Sequence, residues 1–551
     1  MKYKNPIIPG YNPDPSICRV GDDFYLVNST FEFFPGVPIY HSTNLVNWEI
    51  IGHCLTRREQ LELEGCRNSG GIYAPTIRHH NGRFYMITTN VTDKGNFVVH
   101  TDDIRGEWSN PAWIDQGGID PSLFWDDDDR CYYCSTGIID GVRGIVAFEI
   151  NPDTGEILSD KKVISPGCGG QCAEGPHIYK KDGWYYLMIA EGGTEYAHRE
   201  TMQRSKSIWG PYEACPHNPI ISHKEYKKSE IQATGHADLV EDKNGNWWLV
   251  FLGIRRFSHA LLHNLGRETF LAPVTWDDEG WPVVGYNGNG TIELETDAPL
   301  PGVPDKVSHD IVIDFGKEEC DKRLFYTRNP KMSDYCYSPE NATLTLNGTE
   351  VTINEPGASP TIMSFRQPQF TTTVTAQILL KNTNASRCGL AAYYNNDYHY
   401  EIYVGNLSEN ESKSLGFSKY IGFYKHIHDM GVELARVPVV EKDGCINDIP
   451  ADEAVFLIRV DTDREKYTFS YAVTSKGLAA KTADLAADGK VDESGITFTQ
   501  IGSGLNAGLS TEGTKTMTFT GTLFSLFCEN GTGVFNDRVT LTVNPDENYK
   551  L

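Results

Sequence analysis

The sequence predicts an all-β protein in two parts, a five-bladed β-propeller followed by a jelly-roll-like β-sandwich. Three observations carry this. A hairpin-sized word recurs five times in the first half of the 551-residue chain. A proline-rich stretch, "LETDAPLPGVPDKVSHD", separates the halves. The second half keeps the alternation of strands, and no long helical period interrupts it.

The recurring word begins as "DPSICRVGDDFYLV" at Asp14, "APTIRHHNGRFYMI" at Ala74, "DPSLFWDDDDRCYYCS" at Asp120, "EGPHIYKKDGWYYLMI" at Glu174 and "HADLVEDKNGNWWLVF" at His236. Each copy holds a leading residue, a short apolar strand, a polar turn and a second strand rich in aromatics. Such a pair is a β-hairpin. The leaders sit 60, 46, 54 and 62 residues apart, room for a four-stranded blade per copy. Five blades in a ring bring equivalent positions to one mouth of the central channel. The leaders Asp14, Ala74, Asp120, Glu174 and His236 are therefore expected to converge there.

After the linker, near 297–310, come "FTTTVTAQILL", "CGLAAYYNNDYHYEIYV", "AVFLIRVDTDREKYTFSYAV" and "TMTFTGTLFSLFC". Period-two strands between Asn, Asp and Gly turns suggest two packed antiparallel sheets. The expected domains are 1–300 for the propeller and 310–551 for the sandwich. The one helix-like patch, "SKGLAAKTADLAADG", is short and ends in Asp-Gly. The second domain shows no cluster of acids. Its expected role is support, packing on the propeller and lending a loop to the mouth.

Composition narrows the function. A net charge of -25 repels nucleic acid and anionic lipid. Aromatics at 11% suit strands and sugar-stacking surfaces alike. No run of about 18 apolar residues exists to span a membrane. "MKYKNPIIPG" lacks the apolar stretch of a secretory signal, so the expected compartment is the cytoplasm and the 13 cysteines are expected as thiols. The expected partner is an oligosaccharide, with neither nucleic acid nor membrane, and association into a homo-oligomer stays open.

Three of the five leaders are carboxylic acids. Each alone is an ordinary turn residue. Three in one register, aimed at one axis, repel each other and call for a chemical reason. Hydrolysis of a glycosidic bond supplies one, because it needs two carboxyl groups in opposite protonation states. Glu174 has the longer reach to a leaving-group oxygen and is assigned as acid. Asp14 is assigned as the base acting on water, and Asp120 as the group that orients the acid and raises its pKa.

The words "NPDPS", "FEFFPGVPIYHSTNLVNWE", "GGIYAPTI", "DPSLFWDDD", "AEGPHIYKKDGWYYLMIAEGGTEY" and "GRETFLAPVTWDDEGWP" resemble the family 43 glycoside hydrolases. The similarity is to the branch of β-xylosidases and α-L-arabinofuranosidases with a C-terminal β-sandwich. It covers the whole chain and is densest from residue 5 to 285. The resemblance implies an exo-acting, inverting hydrolase that releases terminal xylose or arabinofuranose from xylo- or arabinoxylo-oligosaccharides. It puts base, pKa modulator and acid on Asp14, Asp120 and Glu174. It also implies Arg267 as a binder of sugar hydroxyls, Phe31 and Tyr73 as walls of the pocket, and His236 near the axis. No cofactor is required, although in some relatives this histidine touches a calcium ion. One departure concerns sugar preference. Where xylosidases of the family commonly read Trp-Ala-Pro-Asp, this chain has Tyr73-Ala74-Pro75-Thr76.

Two rivals keep the same architecture. A retaining fructan or sucrose hydrolase would use the first acid as nucleophile, but the Asn-Asp-Pro-Asn-Gly signature is absent from Asn12-Pro13-Asp14-Pro15-Ser16. A non-catalytic sugar-binding propeller would not need all three acids. Other motifs are set aside. Cys131 and Cys134 lie three apart on a strand and face opposite sides. Cys168 and Cys172 are read as free thiols. Asp126 to Asp129 reads as a solvated hairpin turn, and "GYNGNG" has no following helix to bind a nucleotide.

Overall fold

A computed structural model of the chain describes residues 1–257, 262–285, 288, 290–303, 308–480, 495–516 and 518–544. Part of "GYNGNG", part of the linker and most of "SKGLAAKTADLAADG" lie outside the described residues. The regular elements of the structure are nearly all antiparallel strands.

The chain divides into two compact units, Met1–Arg256 with Gly266–Val307, and Phe257–Leu265 with Ser308–Leu551. The segment 257–265 lies within the range that the sequence assigned to the first domain, yet it groups with the second unit. Its side chains are engaged there. Phe257 and Leu265 cluster with Phe370, Asn264 Nδ2 donates to Tyr467 Oη at 2.6 Å, and His263 Nδ1 lies 2.7 Å from Glu512 Oε1.

The first unit holds five meandering antiparallel sheets, and each recurring word supplies the first two strands of one. The leading strands are β1 (Ser16–Val20), β2 (Thr76–His80), β3 (Ser122–Trp125), β4 (Glu174–Lys181) and β5 (Ile231–Glu241). The turns follow the sequence. Asn81 and Gly82 both take positive φ, 49° and 82°, the requirement of a tight hairpin turn whose twist matches its strands.

Period-two alternation sends successive residues of a strand to opposite neighbouring sheets. Phe84 and Met86 join a core with Val27 and Ile39 of the first sheet, while Tyr85 and Ile87 join one with Tyr133 and Val146 of the third. Tyr132 and Ile145 pack on Ile178 and Leu187; Tyr186 and Met188 pack on Leu249 and Phe251. Trp248 and Val250 then meet Ile17 and Leu26, which returns to the first sheet. Packing of the leading strands is likewise cyclic, from β1 through β5 and back to β1. The N-terminus secures the closure. Lys2–Lys4 pairs with Glu295–Asp297, and the Asn12 amide donates to the Arg267 carbonyl at 2.9 Å.

The second unit holds a nine-stranded sheet that includes Thr372–Leu379, Ala454–Thr462 and Lys466–Ser475. A second sheet runs in the order Met430–Val439, Lys419–Ile427, Tyr398–Asn406, Arg387–Asn395, Leu523–Glu529, Ile362–Arg366 and Phe325–Thr327. Strands from the two sheets pack on each other, the arrangement of a β-sandwich. One helix escaped the sequence reading, Glu409–Leu415. Its signal was present as Ser408-x-x-Glu411, a capping box in which each side chain serves the other residue's backbone amide.

Candidate active site

The five leaders lie near the entries of β1 to β5. Asp14, Ala74 and Asp120 each stand two residues ahead of a strand and Glu174 opens one. His236 lies inside β5, which extends further back than the other leading strands. Asp14, Asp120 and His236 all take left-handed backbone conformations, with φ of 52°, 57° and 49°. Such conformations cost an L-residue of order 1 kcal/mol or more, and they concentrate at functional sites. In β4 the pairing register shifts between Glu174 and His177, and in β5 it shifts on both sides of Gly235. These irregularities re-aim the leading side chains out of the regular pleat.

The acids fall within electrostatic reach of one another. Asp14 and Asp120 are 5% and 6% exposed and Glu174 is half-buried. Asp14 accepts a hydrogen bond from Ser29 Oγ at 2.6 Å and one from Arg267 Nη1 at 2.9 Å. His236 Nδ1 lies 3.7 Å from the same carboxylate. Burial pushes the Asp14 pKa up, but Arg267, His236 and the Ser29 hydrogen bond outweigh it and hold the group below the usual range. Asp14 is therefore ionised.

Asp120 and Glu174 behave oppositely. Burial raises Asp120 well above its usual value, and repulsion from Glu174 and Asp14 adds to this, against the Gly175 amide that donates to its Oδ2 at 3.2 Å. Burial, then repulsion from Asp14, pushes Glu174 up to about 7, while Arg267 pulls it down. The Asp120–Glu174 pair thus keeps a proton near neutral pH and titrates as a unit. An ionised carboxylate and a protonated carboxyl in one site form the pairing that glycosidic hydrolysis needs.

The remaining sequence candidates surround these acids. The Arg267 guanidinium lies 5.7 Å from the ring centroid of Phe31, and Phe31 meets Tyr73 edge-on at 5.4 Å. Tyr73 is held by a hydrogen bond from its hydroxyl to Ser69 O at 3.1 Å. His236 packs over Gly175, where a Cβ would stand 2.9 Å from Nε2; with φ of 55° as well, only glycine suits that position. Thr76 gives its hydroxyl to Pro121 O at 3.0 Å and so ties β2 to the segment carrying Asp120.

Sequence reasoning missed several supports. Ser29 holds Asp14, and Thr194 accepts from Arg267 Nη1 at 3.0 Å. Nothing in the spacing of the repeats marks either one. Deeper along the axis, Arg78 donates to both oxygens of Asp238, at 2.7 and 3.1 Å, and to His177 Nδ1 at 2.9 Å. Ser16 and Tyr179 hydroxyls complete the shell of Asp238. These residues follow shortly after the leaders in β1, β2, β4 and β5, so the repeat register itself could have found them. The Asp126 turn also differs from its expectation. Asp126 is not simply solvated; it accepts from Tyr185 Oη at 2.6 Å and from Lys180 Nζ, which ties the third sheet to the fourth. All thirteen cysteines are free thiols.

The pattern described as Glycosyl hydrolases family 43 matches residues 3–282. The chain belongs to glycosyl hydrolase family 43. It is thus a glycoside hydrolase, and the family's catalytic part is a β-propeller. A second pattern, the beta xylosidase C-terminal concanavalin A-like domain, matches residues 312–536. Among relatives, a non-reducing end alpha-L-arabinofuranosidase of Bacteroides ovatus is 44% identical over 411 residues, covering 73% of this chain and 75% of that one. A xylosidase/arabinosidase of Butyrivibrio fibrisolvens is 41% identical over 414 residues, 73% of this chain and 79% of the other. The solved structure of a xylan beta-1,4-xylosidase from Bacillus halodurans superposes with a TM-score of 0.84 at 31% identity, covering 98% of this chain and 99% of that one.

Proposed function

We propose that this family 43 enzyme is an exo-acting, inverting hydrolase that removes a terminal xylose or arabinofuranose from xylo- or arabinoxylo-oligosaccharides. The five sheets are read as five blades, with the substrate's terminal sugar at the mouth of their channel. Glu174 protonates the departing oxygen. Asp14, ionised and oriented by Ser29 and Arg267, takes the proton of the attacking water. Asp120 and Glu174 repel each other when both are ionised, so the buried pair holds on to a proton for the leaving group. Arg267, Phe31, Tyr73 and His236 shape and bind the sugar. The observation that carries this reading is the opposite titration of two neighbouring groups, Asp14 held low and Glu174 raised to about 7.

The donor set speaks against a resident calcium beside His236. Hard cations take several oxygen ligands. The axial carboxylate, Asp238, already has both oxygens engaged by Arg78, and among the described residues no group of three His, Cys, Asp or Glu side chains is arranged to hold a metal.

The test pairs two assays. Turnover of aryl β-D-xylopyranoside and aryl α-L-arabinofuranoside, side by side, ranks the sugars; no turnover of either overturns the reading. Proton NMR of the first-formed sugar should show the inverted anomer, and the retained anomer would overturn single displacement.

A further inference from the structure

A groove with a cavity volume of about 850 Å³ opens at Glu174. That is the size of a site for a ligand well beyond one sugar ring. It is lined by the loop from Asp115 to Ile119, by the hairpin strands around Ile138 and Arg143, by Lys161 and by the segment from Gly170 to Glu174. Neither Asp14 nor Asp120 lines it. Glu174 alone of the three acids does, so the groove lies on the side of the acid where the leaving group departs.

Its charges balance, unlike those of the chain as a whole. The protein carries -25, yet the groove presents Arg143 and Lys161 against one carboxylate besides Glu174, that of Asp115. Lys161 Nζ is engaged with the Asp115 carbonyl. The Arg143 side chain is exposed and has no hydrogen-bonding or ion-pairing partner among the described residues. Its cross-strand partner Ile138, on the same face of the hairpin and also lining the groove, is 58% exposed. An apolar rim beside a free planar cation suits the face of a sugar ring carrying a carboxylate, which arginine binds bidentately.

We infer that this groove holds the leaving-group portion of an oligosaccharide bearing a uronic acid, with Arg143 as the carboxylate's partner. This rests on reading Glu174 as the acid, since that fixes which end of the substrate the groove receives. The enzyme would then trim terminal pentose preferentially from chains with an acidic branch on the leaving side.

The test separates the two readings. The full chain carrying Glu174→Gln is titrated by calorimetry with xylotriose and with xylotriose bearing glucuronic acid on its reducing-end half. The acidic sugar should bind about tenfold more tightly, as for a charge-assisted bond at a partly exposed site. Added Arg143→Glu should abolish that preference, and raising the salt should erode it. Gly117→Trp provides a second arm. Gly117 faces open space with no atom within 4 Å of a Cβ, so the indole should occlude the groove and weaken both sugars. Equal affinities for the two sugars, or a preference that survives Arg143→Glu, would overturn the inference. Failure of the wild-type enzyme to hydrolyse aryl glycosides would instead strike at the hydrolase reading, which these binding measurements do not depend on.

Discussion

Arg267 reaches Asp14 with both terminal nitrogens, Nη1 to Oδ1 at 2.9 Å and Nη2 to Oδ2 at 3.4 Å. The two residues are 253 positions apart in sequence. They meet because the N-terminal segment pairs with the strand that follows Arg267 and so closes the ring. One cation thereby keeps the Asp14 carboxylate ionised in a buried site and lies beside the acid pair whose pKa it lowers.

Removing that cation should change the acidic side of the pH profile. Arg267→Ala leaves burial unopposed by its strongest counterweight, so the Asp14 pKa climbs. The acidic limb of kcat/KM should move up by about one unit, and the maximum should fall on the order of a hundredfold. Arg267→Lys restores charge without the planar fork and should recover only part of this. An acidic limb that stays in place in both variants would remove Arg267 from control of Asp14.

The alkaline side belongs to the acid pair. In the proposed mechanism Glu174 acts protonated, so kcat/KM should decline as pH rises through about 7. Asp120→Asn takes away a like charge from the pair and should move this limb to lower pH, with a loss of rate at pH 7 of about tenfold or more. A limb indifferent to Asp120→Asn would contradict the modulating role.

The same raised pKa has a consequence for stability. A carboxyl with a higher pKa in the folded chain binds its proton more tightly there than when unfolded. Its contribution is intact below the unfolded value of 4.5 and is lost as pH rises toward about 7. Glutamine does not ionise. Glu174→Gln should therefore match the wild type near pH 4 and exceed it by about 2 kcal/mol at pH 8, discounted from the full shift because the group is half-buried. Melting temperatures at the two pH values check this; a variant less stable at pH 8 would mean that Glu174 is not strained by ionisation.

Gly175 links the acid to the histidine. Gly175→Ala puts a methyl 2.9 Å from His236 Nε2 on a backbone with positive φ. The ring must shift, and the Asp120 hydrogen bond from the same residue shifts with it. We expect kcat to drop about tenfold or more with little change in KM, because the acids move more than the aromatic walls. Unchanged kcat would show that the spacing between Gly175 and His236 is not used.

Much of this was legible from the five hairpin words, because period-two burial and turn chemistry are local. A slip of register is blocked where Asn81-Gly82 fixes the turn. The three acids emerged from the same register. What stayed hidden was what register cannot encode. Ser29 and Thr194 serve the site from loops. Arg143 lies on an exposed hairpin that the repeat reading ignored, and the engagement of 257–265 by Phe370, Tyr467 and Glu512 depends on contacts about a hundred or more residues away.

The central claim is that Glu174 gives its proton to the leaving group while Asp14 activates water, and the most direct measurement is the leaving-group dependence of Glu174→Gln. With a strongly acidic phenol as leaving group, which needs little protonation, the variant should keep most of the wild-type kcat. With an unactivated sugar it should lose three or more orders of magnitude, as ~10²–10⁴ is the usual worth of a general acid. A loss of equal size across all leaving groups would contradict the assignment.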